Sequence, residues 1–114
     1  MPPFLLEPGE DMRLENILIE NVRLNGEGQD DLARLKPTVN DYMWKKVPGL
    51  IRNVRFKDLS VSGKAGTYLV TVEGADAQHD VLGVAFEGVS VLGRPLNRER
   101  VKTGVHTADV SFCP

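Results

Sequence analysis

Two histidines, one cysteine and scattered acids and bases hold whatever chemistry this chain performs. His79 lies in Asp76-Ala77-Gln78-His79-Asp80. A carboxylate beside an imidazole can orient it for acid–base work, and the same spacing suits a histidine that ties a turn. No serine or cysteine is placed to serve it as a nucleophile. Two histidines fall short of a zinc site, and His106 reads as a second turn residue. Cys113 has no partner to activate it and reads as a passive thiol. Tyr42, Trp44 and Tyr68 could offer flat aromatic faces to a sugar. Arg34 and Lys36 could pair with the carboxylates of an acidic sugar, arginine bidentately. Lys45 and Lys46 follow Trp44 directly. Each has a structural reading beside the functional one: Trp44 as a lid over a groove or an open end, Tyr68 as packing.

The chain has 114 residues, about one domain. Fourteen basic against sixteen acidic residues leave a net charge of −2, which argues against a nucleic-acid module or a polybasic membrane-surface segment. With 41% apolar and 26% charged residues the composition is globular. No apolar run approaches the roughly 18 residues of a membrane span, and Met1 to Glu7 does not read as a secretory leader. A single cysteine excludes an internal disulfide and a cysteine-built zinc site.

Whatever holds these residues in place is repetitive. Asn16 to Gly26 (NILIENVRLNG), Asn53 to Gly63 (NVRFKDLSVSG) and Gly83 to Gly93 (GVAFEGVSVLG) align without gaps, and Asp109 begins a fourth copy. Self-similarity at this spacing marks a stacked architecture. Each copy carries two short alternating runs. Ile17 and Ile19, Val54 and Phe56, or Val84 and Phe86 share one face of the first; Val22 and Leu24, Leu59 and Val61, or Val89 and Val91 share one face of the second. Period two with β-branched residues predicts strands. Leu18 and Leu92 break the alternation. The residue before the first run is Asn16, Asn53, Gly83 or Asp109; the residue between the runs is Asn21, Asp58 or Gly88. Only Asn, Asp and Gly occupy these seven places, and these types tolerate a left-handed backbone. A single bend residue suits a chain turning a corner within a coil, where a hairpin normally needs two.

A third run recurs at Phe4 to Leu6, Leu32 to Lys36 and Thr67 to Val72. Three strands per rung over three to four rungs predict an all-β protein, a short right-handed parallel β-helix over residues 1–114. A small antiparallel sandwich is the alternative. Two segments interrupt the pattern: a long loop insertion over 37–50 holding the only Trp, and a polar, basic loop over 94–104.

The stretch GLIRNVRFKDLSVSGKAGTYLVTVEGADAQHDVLGVAFEGVSVLG resembles the late rungs of pectate-lyase-like β-helix proteins, with the flavour of the polygalacturonase-like glycoside hydrolases. The resemblance covers Leu14 to Phe112 and implies the fold more specifically than any activity. It implies catalysis by clustered aspartates, one protonating the leaving group and another activating water. Gly28-Gln29-Asp30-Asp31 resembles the family's G-x-D-D, which makes Asp30 and Asp31 the catalytic candidates. The family's N-T-D, G-H-G and R-I-K do not accompany it: Glu7-Pro8-Gly9-Glu10-Asp11 stands one rung earlier and Lys64-Ala65-Gly66-Thr67-Tyr68 one rung later. The lyase branch implies calcium, to which Glu10 with Asp11, Asp30 with Asp31, and Asp76 with Asp80 could contribute oxygens; solvated turn acids are the other reading. Full-length relatives are several times longer and exported, so the chain reads as the C-terminal part of such a protein.

The leading expectation is a non-catalytic β-helix module that binds polysaccharide or oligosaccharide, or completes a larger β-helix. The alternatives are a small hydrolase or lyase assembled around Asp30 and Asp31 in an oligomer, and a structural module that stacks end to end. Open helix ends predict a homo-oligomer, most simply a twofold dimer, or a missing parent domain.

Overall fold

The computed structural model describes residues 2–39 and 46–113. All regular structure among them is strand. Four strands, β1 (Phe4–Leu6), β3 (Asp31–Leu35), β5 (Leu69–Val72) and β8 (Val101–Thr103), pair in parallel in that order. A second sheet stacks β2 (Arg13–Glu27), β4 (Leu50–Lys64) and β6 (Val81–Val91) in parallel, with β9 (Thr107–Cys113) parallel on the far edge of β6. The chain alternates between the two sheets rung by rung, so the protein is a parallel β-helix of about four rungs.

The corners explain why the second sheet wraps. Asn16, Asn21, Asn53, Asp58 and Asp109 have φ between 54° and 58°, and Gly83 and Gly88 have φ of 75° and 61°. All seven punctuating residues are therefore left-handed, and each long strand bends twice at one residue. Hydrogen bonding continues around the bends, so the ladder that joins one rung to the next is hardly interrupted. The three expected runs are all present, and a short run before the first corner, such as Arg13–Glu15, adds to them.

Because pairing is in register, like sits on like. Ile17, Val54, Val84 and Val110 form one column; Ile19, Phe56, Phe86 and Phe112 form another. Phe56, Phe86 and Phe112 stack nearly parallel with centroids 5.2 and 5.5 Å apart, and Phe4 meets Phe56 edge-on at 5.6 Å. Such pairs add about 0.5–1.5 kcal/mol each beyond their buried area. The middle rungs close the core: Val54, Phe56, Leu59, Val61 and Val84 are at most 2% exposed. Their equivalents in the first rung, Ile17, Ile19, Val22 and Leu24, are only partly buried.

The basic segment 94–104 corrects its reading as a loop. Leu92 and Gly93, with φ of 53° and 81°, make a hairpin that returns β7 (Arg94–Pro95) antiparallel onto Ser90 and Val91. Two consecutive positive φ values match the backbone twist such turns need. Leu96 follows at 5% exposure and Val101 at 8%, so two apolar residues are enough to seat the segment on the core. It then supplies β8, and β7 closes the side of the fourth rung that no parallel strand occupies. The insertion 37–50 is tied at its described ends to the first rung: the Glu10 N–H donates to the Val47 carbonyl (2.7 Å) and the Gly49 N–H to the Pro8 carbonyl (2.9 Å). Tyr42 and Trp44 lie outside the described residues.

The corner positions make a direct prediction. A Cβ at Gly88 would meet nothing closer than 3.7 Å, so only its φ of 61° resists substitution. Gly88→Val should cost about 1–2 kcal/mol or more in urea unfolding, while Gly88→Asn, the residue type at Asn21, should be neutral or stabilising through the unfolded chain. Equal losses for both would refute the conformational origin.

Candidate functional site

Of the residues expected to bind a ligand, the described ones, Arg34, Lys36 and Tyr68, do not share one site. Arg34 lies on β3 with its Nη2 3.8 Å from Asp31, and Lys36 sits 3.6 Å from Glu73. Arg34 shares a register line with Leu5, Thr71 and, through Thr71, Lys102, so both bases belong to the outer face of the β1–β3–β5–β8 sheet. Asp30 is exposed beside them and passes its carbonyl to the Leu69 N–H (2.8 Å). A register irregularity between Asp31 and Ala33 buries Leu32 and Ala33 together and leaves Asp31 half-exposed at the start of the strand.

Of its two readings, packing and ligand, Tyr68 takes the packed one. It has no exposed surface and a φ of 47°. Its hydroxyl accepts from the Gly28 N–H (2.9 Å) and donates to the Lys64 carbonyl. A Cβ on Gly26 would fall 2.2 Å from that hydroxyl, so the glycine is what admits the ring. Tyr68 is a buried strut between rungs and offers no face to a sugar.

A cleft of about 250 Å³ opens where the hairpin segment meets the turn before β5. Thr67, Leu69, Arg94, Pro95, Asn97, Glu99 and Arg100 line it. Arg100 is anchored by its guanidinium to the carbonyls of Thr67 and, at 3.4 Å, Gly66. Asn97 folds its segment locally, its side-chain oxygen accepting from the Glu99 N–H (2.9 Å). Arg94 is exposed and makes no ion pair or hydrogen bond among the described residues' side-chain contacts. The cleft thus joins a fixed guanidinium, one without a side-chain partner among the described residues, a hydroxyl, the Glu99 carboxylate and the apolar surface of Leu69 and Pro95. Sequence reasoning marked this stretch as basic but had no means of knowing that β8 brings Arg100 against Thr67, which lies 33 positions earlier.

Of the acids considered for calcium, Asp11 and Asp76 engage His79 and Asp80 engages Arg52. His79 Nδ1 lies 2.9 and 3.0 Å from the two Asp76 carboxylate oxygens, and its Nε2 2.6 Å from Asp11. Asp76 also accepts from the Gln78 and His79 N–H groups, which fixes the turn. The Asp11 carboxylate and then that of Asp76 raise the imidazole pKa, with burial opposing more weakly; the bond from His79 and then the Gln78 N–H lower that of Asp76. With a carboxylate at each ring nitrogen, the imidazolium has no proton left to give a substrate. Asp11 belongs to the turn of the first rung and His79 to that of the third, so the trio is a clasp across the rungs. Asp80 Oδ1 sits 2.5 Å from Arg52 Nη2 in an ion pair. No group of three or more His, Cys, Asp or Glu side chains among the described residues forms a cradle for a metal ion. No helix of the described residues is long and apolar enough to cross a membrane.

Comparison with protein-family models, with curated proteins and with solved structures returned no match.

Two measurements check these assignments. His79 is raised in the folded state, so its stabilisation is complete below the ordinary imidazole pKa and is lost as pH rises through the folded value; Asp76 sets the acid limit, its share fading as pH falls through its lowered value. The difference in thermal midpoint between the wild type and His79→Gln should be larger near pH ~5 than near pH ~9. A gap that does not change with pH would mean that the ring is not held charged. Tyr68→Phe should cost about 1 kcal/mol in urea unfolding, since it removes both hydrogen bonds of a buried hydroxyl and leaves their part-buried N–H and carbonyl partners unpaired; a neutral variant would mean that water replaces both bonds.

Proposed function

We propose that this chain is a non-catalytic β-helix module, related to the pectate-lyase-like proteins of polysaccharide breakdown, that binds an acidic oligosaccharide. The observation that carries the reading is the Arg94–Arg100 cleft at the side of the β1–β3–β5–β8 face. Planar guanidinium groups match carboxylates bidentately, and the Leu69–Pro95 floor suits the apolar face of a sugar ring. Lys102, Arg34 and Lys36 extend the same sign of charge across the sheet, although Asp31 and Glu73 partly offset the last two. The kinship rests on the rung pattern of strands and left-handed corners.

A non-catalytic role is favoured by what surrounds the aspartates. Asp31 is engaged by Arg34, and the one histidine drawn into a carboxylate cluster is saturated on both nitrogens.

Calorimetric titration with oligogalacturonates and with their methyl esters tests the reading. The acid form should bind and the ester should not, with affinity falling as salt rises. Arg94→Ala should weaken binding by about tenfold or more, and Arg94→Lys should recover only part of it, because the fork is lost. Reducing-sugar and unsaturated-product assays should remain at background. Equal binding of acid and ester, or no effect of Arg94→Ala, would overturn the assignment of the cleft.

A further inference from the structure

The two ends of the β-helix differ in a way that fits them to each other. At the first rung, β2 exposes a fifteen-residue edge, and its inward residues Ile17, Ile19, Val22 and Leu24 are only partly buried. Leu18, which breaks the alternation, is 53% exposed there and lines a corner groove of about 190 Å³ with Asn16, Asn53 and Arg55. At the fourth rung, Val110 and Phe112 are likewise only partly buried and β9 presents its own outer edge. Long apolar edges of this kind recruit a strand.

Charge distinguishes the ends. Residues 1–27, which build the first rung, hold six acids and two bases, a net −4; residues 94–113, which build the last, hold four bases and two acids, a net +2 with histidine neutral. Opposite ends attract and like ends repel, which sets orientation at encounter.

Register points the same way. A twofold pairing of two β2 edges runs antiparallel, and residues directly opposite must share a face. The corners Asn16 and Asn21 are five residues apart, an odd spacing. Matching corner to corner would set inward Ile17 against outward Glu20. Parallel stacking has no such parity conflict: extending the existing columns places Ile17 of one copy over Val110 of the other, Phe4 over Val101 and Ile19 over Phe112, where the Arg98 side chain, whose guanidinium lies 5.3 Å from the Phe112 ring, has to swing aside. The corner ladder continues too. Asn53 donates from Nδ2 to Asn16 Oδ1 at 2.8 Å, and Asn16 of an added copy would stand over the Asp109 carboxylate in the same sense.

We propose that this chain associates head to tail with further copies of itself, the acidic β1–β2 end of one stacking in parallel register on the basic β8–β9 end of the next. The third side of the join is closed by β7, whose Pro95 has no N–H to donate, so β8 and β9 make the contact. A heterologous contact does not close on itself, and association grows with concentration rather than stopping at a dimer.

Two variants that each block one end provide the test. Ile19→Glu spoils the β2 end and Val110→Glu the β9 end, with circular dichroism confirming that both fold. In light scattering with a reductant present, which keeps Cys113 from cross-linking, the wild type should grow in mass with concentration and each variant alone should remain monomeric. An equimolar mixture should form a one-to-one dimer through the two intact ends. The doubly charge-reversed Glu15→Lys/Glu20→Lys chain, altered only at exposed positions, should weaken wild-type association by about tenfold at low salt and less at high salt. It also serves as the test if an end-blocking variant fails to fold. A monomeric wild type, a variant that dimerises alone, a mixture that stays monomeric, or indifference to charge reversal would each overturn the proposal.

Discussion

A chain that turns through a large angle at a single residue, while keeping its ladder to the next rung, needs a left-handed backbone at that residue. For most side chains that conformation costs about 1–2 kcal/mol through contact of Cβ with the carbonyl. Asn, Asp and Gly escape most of it, and they hold all seven corners. The corners set the shape of the rung; the shape sets which side chains face inward; and parallel pairing then stacks each inward side chain on its equivalent. Asn16 and Asn53 add a hydrogen bond along one line of corners, and Arg23 reaches the Asp58 carboxylate at 3.0 and 3.1 Å along the other. These last contacts are exposed, and each contributes little on its own. Their effect is to hold the register that the core requires.

This dependence explains why the fold was legible in the sequence and most of the site was not. Corner residues and inward columns repeat, so each rung gives independent evidence for the same geometry; Asn21, Asp58 and Gly88 differ in chemistry and agree in φ. A site is built where the repeat is broken. The Arg94–Arg100 cleft depends on Leu92 and Gly93 forming a hairpin, on Leu96 finding the core and on β8 joining the first sheet, none of which the rung pattern encodes. With two apolar residues among eleven, the segment carried too little periodicity to be read as structure. Tyr68 stayed open between ligand and packing for a related reason. An aromatic at the edge of a strand reads as a ligand platform, but its left-handed backbone and the space left by Gly26 turn it into the core. The clasp of His79 with Asp11 was invisible because its partners are 68 positions apart and belong to rungs that do not touch in sequence.

The turns on one side of the helix therefore do different work from those on the other. Between the first and second sheets, the Pro8–Met12 turn bonds to the base of the insertion and is clasped by His79 from two rungs away. Asp11, at φ 58°, is itself left-handed, so backbone conformation and a charged contact together fix that turn. On the other side the turns before β5 and β8 leave a cleft, with Arg100 held by backbone carbonyls and its neighbour Arg94 unheld. One flank is cross-linked by side chains and the other carries guanidinium donors on a segment seated by two apolar residues.

In a parallel β-helix every rung makes an edge that fits the rung below, because the ladder is the same at each level. The first and last rungs are thus complementary by construction, and a capping segment has to break that sameness. β7 does so on one side only: it runs antiparallel, ends in a proline and brings Leu96 over the core, while Arg98 lies over the Phe112 ring at 5.3 Å. A guanidinium over an aromatic face shields it from water without supplying a strand, and it leaves the β9 edge able to pair. At the opposite end, Glu15 and Glu20 place acid beside the half-exposed columns, where a lysine or a proline would more commonly guard an edge. A partial basic cover at one end and an acidic rim at the other make the two ends unlike in charge as well as in strand, so the sameness of the ladder does not extend to the side chains that flank it.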